Sequence, residues 1–99
     1  MTTYGLLVFD GAEALDVVGP WQVFASSATA RAREGAGTDT VVTIAERPGH
    51  IHCNKQPLQI LPNATFDDHP PLDVVLVPGG AGTRREETNP ATLDWIRRV

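Results

Sequence analysis

A single cysteine, Cys53, leaves no second thiol for an internal disulfide. A reducing, cytoplasmic setting is therefore the expectation. Basic residues are also scarce, eight lysines and arginines against twelve acids. That balance excludes the basic patch that a nucleic-acid surface needs. No apolar run approaches the length of a membrane span, and no charged segment leads into an apolar one at the start, so neither a membrane nor a secretory signal is implied. Repeats, low-complexity tracts and linkers are lacking too. A glycine–lysine–serine/threonine sequence is missing, which removes a phosphate loop.

What is present centres on LDVVLVPGGAGT, residues 72–83. Its aliphatic run does not alternate, which predicts a central parallel strand buried on both faces. Pro78 has no N–H and ends the strand. Gly79 and Gly80 then permit positive φ and leave two backbone N–H groups unscreened. Bare amides at the carboxyl edge of a parallel sheet are where α/β proteins bind ligands.

The rest of the chain supplies the sheet around that strand. YGLLVF over residues 4–9 predicts a first strand. An apolar stripe of Leu15, Val18, Val23 and Phe24 predicts a helix over residues 13–27, kinked or delayed by Pro20. Residues 28–39 predict a helix end and loop, residues 40–45 a third strand, and residues 51–60 an edge hairpin. The proline-rich residues 62–71 predict a connection, and Asn89-Pro90 a capped helix start. The order is that of an open α/β sheet with helices on both faces. With three long strands and two helices, one sheet edge stays bare, so residues 1–99 predict half of a single domain.

Three groups of residues invite chemistry. Gly80-Ala81-Gly82 fails as a dinucleotide fingerprint, because Arg85 stands at the third glycine position. His50, His52 and Cys53 lack a second ligand cluster, so no metal site is expected. Cys53 lies in an edge segment without a helix start to hold a thiolate, so it is read as structural. Asp16 is flanked by Leu15, Val17 and Val18 in the first turn after a strand. A carboxylate in apolar company suits a proton donor, and a plain helix-start acid is the alternative.

FDGAEALDVVGP (residues 9–20) and LDVVLVPGGAGT together resemble the DJ-1/PfpI family, closest to its isonitrile-hydrating branch. The likeness extends through LPNATF at residues 61–66 and the final helix, and covers the first half of the family's domain. The resemblance implies a flavodoxin-like three-layer α/β sandwich with a mostly parallel sheet, a homodimer, a small-molecule substrate and no cofactor. It implies a cysteine nucleophile beyond residue 99, with none in this chain, and hence a 99-residue chain that alone is not an enzyme. The family's acid falls on Asp16 and its amide donor on Gly80, with Gly79 shaping the turn. The activity implied is addition of water to an isonitrile through a cysteine thioimidate. The same resemblance leaves two alternatives, the ligand-sensing domain of an AraC-type transcription regulator and a DJ-1-like stress protein.

Overall fold

A computed structural model describes all residues except Lys55 and Gln56. Its principal sheet is four-stranded and parallel, in the order β5-β2-β1-β6. The strands are β1 (Thr3–Leu7), β2 (Thr40–Ala45), β5 (Ala64–Thr65) and β6 (Val74–Leu76). A separate antiparallel pair, β3 (Ile51–His52) with β4 (Gln59–Ile60), forms the expected hairpin. Among the described residues there are also three helices: α1 (Ala14–Arg33), α2 (Thr83–Glu86) and α3 (Pro90–Arg98).

Side-chain alternation along the first strand sets the layers. Tyr4 stacks on Phe24 of α1, ring centroids 4.2 Å apart. Phe9, of opposite parity, reaches the backbone just before α2, where a Cβ on Gly82 would meet its ring. The helices therefore cover opposite faces. Between them Leu6, Leu7, Val8 and Ile44 are almost wholly inaccessible. Gly5 belongs to this packing, because a Cβ there would come within 2.7 Å of Leu72.

Helix α1 starts on time and runs through Pro20 to Arg33, six residues beyond the expected end at residue 27. Alanines alternate with Thr29, Arg31 and Arg33 over that extension, and arginines suit the negative end of a helix. Gly35, at φ 74°, closes the helix in a Schellman arrangement, with Gly35 N–H donating to the Ala32 carbonyl and Ala36 N–H to that of Arg31. Arg31 also pairs at 2.8 Å with Asp39, whose side chain is 2% exposed. At α3 the expected cap is present, Asn89 Oδ1 accepting from Ala91 N–H at 3.1 Å.

Two expectations need correction. Residues 62–71 hold a strand, β5, and are not merely a connection. Strand β6 lies at a sheet edge instead of the centre; it pairs only with β1 among the described residues, and Val74 and Val77 are 40% and 51% exposed. The central place belongs to β1, which β2 and β6 flank. Paired on both sides, β1 heads the buried core, and the bare sheet edge that the sequence leads one to expect is that of β6.

Candidate functional site at the β1 and β6 carboxyl ends

Because β1 and β6 are parallel neighbours, the loops that follow them leave the same end of the sheet. Backbone hydrogen bonds lace the two together. Glu13 N–H donates to the Gly79 carbonyl at 2.9 Å, and Gly82 N–H to the Gly11 carbonyl at 3.1 Å. The guanidinium of Arg85 grips the Asp10 carbonyl at 2.6 Å, and Gly11 N–H reaches the His52 carbonyl at 2.7 Å. Glycine is required at the crossing point. Gly80 sits at φ 114°, and a Cβ there would lie 2.5 Å from the Gly11 carbonyl oxygen and 2.6 Å from the Glu13 nitrogen.

Asp16 joins this pair of loops through its side chain. Its Oδ2 accepts the Gly79 N–H at 3.0 Å across 63 residues of sequence. The adjacent Gly80 N–H donates to no group among the described residues. A carboxylate and a free amide donor thus stand on neighbouring peptide units at the sheet edge. The structure brings Asp16, Gly79 and Gly80 together. It does not bury Asp16 among its apolar neighbours, because Leu15 and Val18 are themselves 74% and 50% exposed. The carboxylate is oriented by an N–H and is open to solvent on its other side.

Cys53 is 1% exposed. Burial pushes its thiol above the ordinary range, and the negative charge of Glu13 adds to the effect. Such a sulfur stays protonated and unreactive near neutrality. His52 spends its backbone N–H on Asp10 Oδ1 at 2.9 Å. Among the described residues no three of His, Cys, Asp and Glu gather as a ligand set.

Sequence reasoning missed the supports. Arg85 registered only as a missing glycine, yet it ties the loop after β1 to α2. Glu86 is buried and accepts from Arg85 Nε at 2.8 Å, Thr92 Oγ1 at 2.7 Å and Asn89 Nδ2 at 3.3 Å. Acids beside arginines are commonplace on helix surfaces, so nothing local marks this one as interior.

The described family model, the DJ-1/PfpI family, matches residues 4–99. Isonitrile hydratase of Pseudomonas putida is 36% identical over 93 residues, which are 94% of this chain and 36% of that protein. Among solved structures, a ThiJ/PfpI family protein from Pseudomonas syringae superposes with a TM-score of 0.80 at 27% identity, covering 96% of this chain and 36% of its own. A DJ-1 superfamily protein of Salmonella typhimurium gives 0.75 at 19% identity, covering 99% and 49%. DJ-1 of Schizosaccharomyces pombe gives 0.72 at 16%, covering 99% and 51%. The last two speak for the fold alone. The chain spans about a third of the hydratase's length and about half of those two structures.

These alignments overturn two expectations. The flavodoxin-like fold extends over nearly the whole chain and not merely an N-terminal half, since the matched structures cover 96–99% of it. Nor do the 99 residues alone stand outside enzymes, because 94% of them align with a hydratase. Among the described residues, no helix is long and apolar enough to cross a membrane.

Proposed function

This chain belongs to the DJ-1/PfpI family, and from that premise we propose that it serves the addition of water to an isonitrile, giving an N-substituted formamide. The observation that carries this reading is the Asp16 Oδ2–Gly79 N bond of 3.0 Å beside the unengaged Gly80 N–H. An acid and an amide donor held that way suit a reaction that needs a proton and a partner for developing negative charge.

In this reading a cysteine thiolate from beyond residue 99 attacks the terminal isonitrile carbon, forming a C–S bond. Asp16 delivers a proton to the same carbon, giving the thioimidate R–N=CH–S. As a C–O bond forms between water and that carbon, Asp16 takes the water's proton and passes it to the imine nitrogen. Collapse of the tetrahedral adduct breaks the C–S bond, returns the thiolate and gives the hydroxyl proton back to Asp16, leaving R–NH–CHO. The Gly80 N–H faces the charge that builds during addition, and one such donor is worth about 3–4 kcal/mol. Gly79 holds the carboxylate in place. No cofactor enters the sequence of steps. A homodimer in the cytoplasm belongs to the same proposal, supported by the exposed Leu15, Val18 and Val23 along α1.

Incubation of the intact protein with an alkyl isonitrile, followed by proton NMR, tests the activity. Growth of the formamide C–H resonance above the protein-free rate is the expected result, and unchanged isonitrile would overturn the reading. In the same assay Cys53→Ser should turn over nearly as fast as the parent. A loss of about a hundredfold, the scale of a catalytic group, would return the Cys53 thiol to the mechanism.

A further inference from the structure

The side chain of Trp95 is fully buried, and it is the anchor of α3. Its ring stacks on Phe66 with centroids 4.7 Å apart and an interplanar angle of 7°. His69 meets the same indole edge-on, at 85° and 5.7 Å. The indole N–H donates to His69 Nε2 at 2.9 Å. On the other side of the imidazole, Nδ1 lies 2.7 Å from the Pro70 carbonyl oxygen. A carbonyl can only accept and an indole N–H can only donate. Both contacts hold together in one form alone, the neutral imidazole with its proton on Nδ1.

We propose that His69 is a proton-sensitive latch that holds α3 against Phe66 when neutral and releases Trp95 when protonated. A proton on Nε2 sets two N–H groups against each other, so the indole loses its acceptor while still enclosed. A buried donor without a partner is costly, and the ring must leave or the helix must shift. The latch is complete while the imidazole is neutral and is lost when Nε2 takes up a proton. Charges around the His69–Trp95 contact have both signs. Asp67 and Asp68 immediately precede His69 in sequence. Asp94, Arg97 and Arg98 on α3 line the neighbouring cleft of about 740 Å³ together with Asp67, and with Glu46 and Arg47 from the end of β2. With four carboxylates against three guanidiniums, hydrogen-bond geometry, more than net charge, decides the response.

The test follows Trp95 emission in the intact protein carrying Trp21→Phe, which removes the other indole of these 99 residues. Acidification from about pH 8 to about pH 5, where imidazoles titrate, should shift the emission to the red reversibly while far-ultraviolet circular dichroism stays constant. His69→Gln should abolish that shift, because the Gln Oε1 can accept the indole N–H and does not titrate. An equal shift in His69→Gln, or flat emission in the parent, would overturn the latch. Should His69→Gln not fold, nitrogen-15 spectra of the parent decide the matter. A neutral Nδ1–H tautomer, with an indole resonance that moves as His69 protonates, supports the latch; an Nε2–H tautomer or an unmoved indole refutes it.

Discussion

Asp16→Asn lowers isonitrile turnover by about 10²–10⁴, the range lost when a general acid–base group is removed, and leaves the fold intact. Asparagine has the same shape, and its Oδ1 can still accept the Gly79 N–H that Asp16 accepts at 3.0 Å. What disappears is the proton. The loss should fall on kcat, because the carboxylate acts on the reacting carbon and on water more than on the substrate's side chain. Asp16 is exposed, so the substitution leaves no cavity and no buried orphan. A variant that keeps the parent kcat would reduce Asp16 to a helix-start acid that merely ties two loops together.

Trp95→Ala destabilises the fold by about 3–5 kcal/mol, the usual cost of truncating a buried large aromatic. The indole is wholly inaccessible, stacks on Phe66 and bonds His69, so its removal leaves a cavity and frees a histidine nitrogen at once. Domains of this size have about 5–15 kcal/mol of stability in all, so the loss is a large fraction. A urea midpoint displaced by that amount at unchanged slope is the expected measurement. A shift below about 1 kcal/mol, the size of a surface substitution, would mean that α3 is docked by Glu86 and Thr92 instead of by the indole.

Much of the geometry of the candidate site was legible because local chemistry specified it. Pro78-Gly79-Gly80 encodes a strand stop and a turn that tolerates positive φ, and Gly80 does adopt φ 114°. Parallel neighbours send their loops to one edge, which is why Asp16 and Gly79 meet despite their separation in sequence. Asn89-Pro90 begins α3 as expected from capping alone. Other features depend on tertiary partners that leave no periodic trace. Two-residue β5 is too short for alternation to show. The extension of α1 to Arg33 rests on a glycine closure and on Asp39, not on an apolar stripe. Val74 to Leu76 reads as interior on composition, yet pairing sets burial and β6 has one neighbour among the described residues. The His69–Trp95 pair joins residues 26 apart whose spacing carries no signal.

The shared site at Asp16, Gly79 and Gly80 is the central claim, and amide chemical shifts report on it residue by residue. Nitrogen-15-labelled protein titrated with an N-alkylformamide, the class of product proposed, should show its largest amide changes at Gly80 and Gly79, with Asp16 following. A second crevice of about 490 Å³ lies between the β1 and β2 ends, lined by Asp10, Glu46, Arg85, Glu86 and Asn89. Shifts concentrated there, with Gly79 and Gly80 unmoved, would contradict the account.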